Sequence, residues 1–243
     1  MSETETTRWS AFLRAGAICA GLIVLIFAGE LVVVAIFGLP PVFGSAEEWL
    51  SALQRNRLVG ILQTFSLDIV AVAFHAPLYL ALIFLMRHFR KGYPTLILAA
   101  VFAFIGMAVY FASNPTFSML YLSDRLSAAT TDAQKAQVLN SAQTMMALWN
   151  GTGPIVATNL AAIAGILASI AMLRSGKFST LVSIAGIVGN ALELGPPTTL
   201  LPPLYLKVDP IAVALGALIL LFWYAAIGLK LWKEPAMAAS RRS

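Results

Sequence analysis

Six apolar stretches, each at or close to the length that crosses a lipid bilayer, fill most of this 243-residue chain. A membrane-spanning helix needs about 20 consecutive apolar residues, because each residue rises only about 1.5 Å along the helix axis. The stretches predict transmembrane helices over residues 15–37, 59–86, 94–112, 154–173, 178–194 and 210–231. The fifth is the shortest, and Gly195-Pro196-Pro197 ends it, since proline cannot continue a helix. We therefore expect an all-α fold: a polytopic membrane protein whose six-transmembrane-helix bundle makes residues 1–243 a single transmembrane domain.

The composition excludes an ordinary soluble domain. Hydrophobic residues make up 59% of the chain and charged residues only 11%, whereas about a quarter of an average soluble domain is charged. A soluble core of this size could not hide so much apolar surface, so the bilayer must act as the solvent. The single cysteine, Cys19, lies in the first stretch and excludes an intrachain disulfide.

The positive charge of the chain points to membrane lipid as a partner rather than to nucleic acid. The net charge is +5, but the basic residues flank the apolar stretches and form no patch interleaved with aromatic side chains. Eleven of them lie in the two tails and in the second and fourth connections, against five in the other connections. Because cytoplasmic loops are enriched in Lys and Arg, we expect both termini in the cytoplasm and the odd-numbered connections outside.

The third connection, residues 113–153, is too long and too regular to be a simple loop. Thr131 and Gln134 form a capping-box pattern, and apolar residues then recur at helical spacing until Asn150-Gly151. A second capping-box pattern, Ser45 with Glu48, predicts a short helix in the first connection. We expect an amphipathic helical cap on the outer side, which is either a functional lid or a plain surface element.

Polar side chains within the apolar stretches are the strongest pointer to function. A charge in hydrocarbon is costly, so such residues normally face the bundle interior and have a partner or a role. On the second stretch, polar and small residues share one helical stripe: Thr64, Asp68, Ala71, His75 and Tyr79. Two asparagines and two further carboxylates extend the set of candidate ligand-binding residues to Glu30, Asp68, His75, Asn159, Asn190 and Glu193.

Three interpretations of these polar residues are open. They form an outward-facing polar pocket that binds or passes a small molecule, a lipid or a proton. Alternatively, Glu30, Asp68, His75 and Glu193 belong to a membrane-embedded enzyme. In the third interpretation they are a buried hydrogen-bonded cluster that fixes helix packing in a structural or signalling membrane protein.

The sequence holds no pattern that calls for a metal, a cofactor or a catalytic triad. Only two histidines occur, and no ligand spacing or glycine-rich phosphate loop is present. A stripe of small residues does occur every fourth position in the fourth stretch, at Ala157, Ala161, Gly165 and Ser169. Such a stripe allows close helix contact, either with the fifth helix or in a homodimer.

Parts of the chain between residues 56 and 153 resemble a bacterial family of six-helix integral membrane proteins catalogued as a domain of unknown function. The resembling segments are Phe65-Ser66-Leu67-Asp68, Asn114-Pro115, the run from Ala128 to Gln134, and Gly151-Thr152-Gly153. The resemblance implies a protein of the bacterial inner membrane. It implies no activity, and no site residue follows from it.

Overall fold

The computed structural model describes residues 3–37, 45–63, 67–194 and 210–240, and all the regular structure in these ranges is α-helical. Ten helices follow one another along the described chain. They are α1 (Glu3–Phe37), α2 (Ala46–Arg55), α3 (Arg57–Gln63), α4 (Asp68–Met86), α5 (Tyr93–Ser113), α6 (Thr116–Ala128), α7 (Asp132–Trp149), α8 (Thr152–Ser175), α9 (Thr180–Leu192) and α10 (Pro210–Ser240).

Five of these helices are long and apolar enough to cross a membrane: α1, α4, α5, α8 and α10. The all-helical membrane fold is therefore confirmed. The fifth predicted span, 178–194, forms the shorter apolar helix α9, whose 13 residues extend about 20 Å and so fall short of the roughly 30 Å hydrocarbon core. Ser179 starts this helix by accepting a hydrogen bond from the Val182 N–H. The residues predicted to stop it, Gly195-Pro196-Pro197, lie outside the described ranges.

The five long helices and α9 pack in a closed ring. In order around the ring, each helix contacts the next: α1, α4, α5, α8, α9 and α10, which returns to α1. The Arg14 guanidinium lies over the Trp232 ring, 5.7 Å from its centroid, so the first and last helices begin and end side by side. We call this the terminal end of the bundle and the opposite end the cap end.

Buried side chains inside the ring and exposed side chains outside it differ in the way expected of a protein surrounded by lipid. The interior is closed by small residues together with Leu78, Tyr79, Trp223 and Tyr224. Large apolar side chains such as Leu25, Ile36 and Leu181 are exposed on the outside. In water that surface would be unfavourable, whereas against acyl chains it is the ordinary surface of a membrane protein.

The cap is a second, smaller packed unit built from α2, α6 and α7. Its buried residues form a core separate from that of the bundle: Ala46, Trp49, Leu50, Leu53, Met119, Ala142 and Met146. Both halves of the Thr131–Gln134 capping box are present, and Ser45 accepts from the Glu48 N–H at 3.2 Å. The predicted helical cap over 113–153 is thus confirmed as two helices, while its place on the outer side of the membrane stays a prediction.

One predicted helix boundary is wrong. The stretch 59–86 was expected to form one helix, but α3 ends at Gln63 and the spanning helix α4 begins at Asp68. Gly60 of α3 lies against Leu53 of α2, and α3 also contacts α1, so the beginning of this apolar stretch packs where the cap meets the bundle. The start at Asp68 also has a physical reason, because a carboxylate in the first turn interacts favourably with the helix dipole. Thr64, the first member of the predicted stripe, lies outside the described residues.

Candidate functional site: a carboxyl pair at the cap end of the bundle

Glu30 and Asp68 meet where α1 and α4 pass each other near the cap end. Glu30 is two turns before the end of α1, Asp68 is in the first turn of α4, and the helices are antiparallel neighbours. The carboxyl groups of the two residues lie within hydrogen-bonding reach of each other. Only 9% of Glu30 is exposed. Two ionised carboxylates offer acceptors alone, so a hydrogen bond between them requires a proton on one of the two groups.

Tyr110 and Asn114, one turn apart at the end of α5, border this pair. The Tyr110 hydroxyl lies within electrostatic range of Asp68 and Glu30, and the Asn114 side chain lies beside it. Asn114 Oδ1 accepts from the Thr116 N–H at 3.0 Å, which fixes the side chain where α6 begins. We call Glu30, Asp68, Tyr110 and Asn114 the carboxyl cluster.

The carboxyl cluster holds several buried polar atoms that other side chains leave unsatisfied. Among the described residues, no N–H or hydroxyl group donates to Glu30 Oε1. The Tyr110 hydroxyl and Asn114 Nδ2 lie within reach of each other but meet no partner in strict hydrogen-bonding geometry. Buried polar groups are normally paired, so we count Tyr110 and Asn114 as candidate site residues beside the carboxyl pair. Sequence reasoning did not include Tyr110 or Asn114 in the site, although their spacing of four at the end of an apolar helix was the available signal.

His75 belongs to a different polar group, deeper in the bundle. Its Nδ1 lies 2.8 Å from the Ala71 carbonyl oxygen, and its Nε2 lies 2.8 Å from the Tyr224 hydroxyl. A carbonyl can only accept, so Nδ1 carries the hydrogen and Nε2 is free to accept from Tyr224. These two contacts satisfy the imidazole without a carboxylate.

Glu193 packs against α10, the helix that also carries Tyr224. It is the C-cap residue of α9, and its carboxylate rests against Gly216 of α10, where an added Cβ would be 3.0 Å from Oε1. Gly216 comes about two turns before Tyr224 on α10, so Glu193 and the His75–Tyr224 pair both contact this helix at different levels.

The two predicted asparagines have local structural partners. Asn190 donates to the Gly186 carbonyl at 2.7 Å, and its amide fills the space above Gly165 of α8. Asn159 donates to the Ile155 carbonyl of its own helix at 2.8 Å. The six predicted site residues are thus distributed over several places: Glu30 with Asp68, His75 with Tyr224, Glu193 against Gly216, and each asparagine with its own partner. Within the described residues, no three His, Cys, Asp or Glu side chains come together as a metal site.

The small-residue stripe of α8 packs mainly within the chain. Gly165 receives Asn190 and Ser169 contacts Gly186, so the close approach predicted between α8 and α9 is present. Ala157 instead lies against Gly106 of α5. Ala161 is exposed. A homodimer through this helix stays a prediction.

No protein-family model, curated protein or solved structure matches this chain. The fold and the contacts described above therefore carry the functional argument, and the resemblance to a family of bacterial membrane proteins stays a prediction.

Proposed function

We propose that this multi-pass membrane protein holds a proton between Glu30 and Asp68 and passes protons through the bundle, as a proton channel or a proton-linked transporter. The close approach of two carboxyl groups on the packed helices α1 and α4, with Glu30 buried, is the observation that carries the proposal. Ionisable side chains within membrane-spanning helices mark proton and ion pathways by default, because a charge is rarely kept in hydrocarbon otherwise.

Among the ligands that the sequence leaves open, the proton fits this arrangement best. The two carboxyl groups are already in contact, so a small molecule or a lipid headgroup would have to separate them, whereas a proton only has to bridge them. Tyr110 and Asn114 supply further hydroxyl and amide groups at the cap end, where protons would enter or leave. His75 is the next titratable group along α4, about 10 Å deeper along the axis.

No described contact favours the enzyme interpretation. An acid–base pair would need a carboxylate on His75, but its described partners are the Ala71 carbonyl and the Tyr224 hydroxyl.

Proton passage can be measured with purified protein in phospholipid vesicles. The vesicles enclose a pH-sensitive dye, and a potassium gradient with valinomycin drives protons inward. We expect wild-type vesicles to acidify faster than protein-free vesicles, and both Glu30→Gln and Asp68→Asn to lose most of that difference, because an amide cannot exchange a proton. Asp132→Asn is the matched control, since Asp132 is an exposed carboxylate on α7.

Two results would overturn the proposal. In the first, wild-type vesicles acidify no faster than protein-free vesicles. In the second, both amide variants conduct as well as the wild type at equal protein content and equal folding.

We further propose that the protein lies in the bacterial inner membrane with both termini in the cytoplasm. Eleven basic residues in the tails and the even-numbered connections, against five elsewhere, support this orientation. Reporter fusions after residue 243 and within α7 should report the cytoplasm and the exterior respectively. A cytoplasmic signal from the α7 fusion would contradict the orientation.

A further inference from the structure

A groove of about 440 Å³ runs between α6 and α7 on the surface of the cap. Uncharged residues line it: Phe117, Ser118, Tyr121, Leu122, Ser141 and Met145. The two aromatic side chains of α6 are among the most exposed in the described chain, at 72% for Phe117 and 61% for Tyr121. Exposed aromatic surface of this kind is unfavourable in water and typically marks a place where a ligand, a protein or a membrane binds.

The position of α6 indicates that this occupant comes from the membrane. The 21 residues of α5 extend about 31 Å, which matches the roughly 30 Å hydrocarbon core, so Ser113 lies near the membrane boundary. Phe117 follows only four residues later. Phe111, in the last turns of α5, is exposed like the other lipid-facing side chains of the bundle. Exposed apolar side chains therefore occur on both sides of this boundary, in the last turns of α5 and in the first turn of α6.

We propose that the groove between α6 and α7 binds a phospholipid of the adjacent leaflet. The acyl chain lies against Phe117, Tyr121 and Met145, and aromatic side chains are enriched at this depth because their rings suit the headgroup boundary. Ser141 already donates its hydroxyl hydrogen to the Gln137 carbonyl, so it offers an acceptor to a headgroup N–H or hydroxyl. The volume lies within the ordinary range for a small-ligand site.

The lack of charge in the groove favours lipid over a soluble protein. The nearest acidic residue of α6, Asp124, forms a bidentate ion pair with Arg57 at 3.0 and 3.2 Å. A charged peptide would therefore find no complementary group among the lining residues, whereas an acyl chain needs none.

Spin labels can test whether the groove is immersed in lipid. The background is Cys19→Ser, since Cys19 is the only cysteine. Labels go at Phe117→Cys and Tyr121→Cys, with exposed Ala136→Cys as the matched control, because it lies about 140° from Ser141 around α7. In phospholipid vesicles, oxygen should relax the first two labels more than a water-soluble nickel chelate does, and the control should show the reverse. Labels at 117 and 121 that respond mainly to the nickel chelate would overturn the proposal.

A second measurement tests the groove itself. A phospholipid with a photoreactive acyl chain should cross-link to α6 and α7, and Tyr121→Ser with Met145→Ser should reduce that yield several-fold. Yield on the spanning helices should stay constant and serves as the internal reference. Equal cross-linking of α6 and α7 in wild type and double variant would overturn the proposal, as would cross-links confined to the spanning helices. Asp68→Asn should leave the spin-label accessibility and the cross-linking yield unchanged. The lipid site and the proton site are therefore tested independently of each other.

Discussion

Gly186→Ala should lower the stability of the protein by about 2 kcal/mol or more, because three helices meet at this glycine with no space for a methyl group. An added Cβ would clash with Ser169 Oγ of α8 and Trp223 Nε1 of α10. Both side chains are fully buried, so neither can swing away into lipid. Alanine gains about 1 kcal/mol of helix propensity over glycine, and the overpacking must exceed that gain. Thermal unfolding in detergent, followed by loss of helical circular dichroism, measures the difference.

Gly21→Ala is the matched control for this prediction. Gly21 lies in α1, and an added Cβ there would meet no atom within 4 Å. We expect this variant to be as stable as the wild type or up to about 1 kcal/mol more stable, through helix propensity alone. Equal unfolding temperatures for Gly186→Ala and Gly21→Ala would show that α8, α9 and α10 do not pack as described.

Apolar replacement of one member of the carboxyl pair should destabilise the protein more than replacement of both. Glu30 is buried and Asp68 is partly buried, so Glu30→Leu or Asp68→Leu leaves the other carboxyl group without its partner, at a cost of about 1–3 kcal/mol. In the double variant Glu30→Leu/Asp68→Leu neither carboxyl group remains, so stability should recover toward the wild-type value. The double-mutant cycle isolates this coupling from the effect of each leucine on its own surroundings.

Asp68→Asn separates stability from proton chemistry. The amide keeps the shape and can hydrogen-bond to Glu30, so the loss should be limited to the helix-dipole contribution of about 0.3–1 kcal/mol. Leucine variants whose destabilisations simply add would mean that Glu30 and Asp68 do not interact, contrary to the contact described here.

Hydrophobic length and capping patterns were sufficient to predict most of the fold. Spanning helices follow from run length because the bilayer leaves the backbone few alternatives to a helix. The cap followed from Thr131 with Gln134 and from Ser45 with Glu48, whose side chains act locally. The separation of α3 from α4 could not be predicted, because residues 58–62 are apolar like the span that follows and their partner Leu53 is set by tertiary packing.

The polar residues of the spanning helices could be identified from the sequence, but their grouping could not, and their role as a site stays a prediction. Helix periodicity shows which residues share one face of a helix, so the stripe with Asp68 and His75 could be identified. It does not show which residues of a neighbouring helix that face contacts. The pairing of Glu30 with Asp68, and of His75 with Tyr224, depends on the order of helices around the ring. Tyr110 and Tyr224 were missed because a tyrosine in an apolar helix is usually an ordinary packing or interface residue.

The account rests on a proton held between Glu30 and Asp68, and infrared spectroscopy tests this most directly. A protonated carboxyl group has its own C=O stretching band, distinct from those of carboxylates and amides. Wild-type protein in phospholipid bilayers at neutral pH should show such a band, and slow deuterium exchange should mark it as buried. Glu30→Gln and Asp68→Asn should each remove or shift this band, while Glu193→Gln, which alters a carboxyl group outside the pair, should leave it in place. A wild-type spectrum without a protonated carboxyl band, or a band unchanged in both amide variants, would contradict the account.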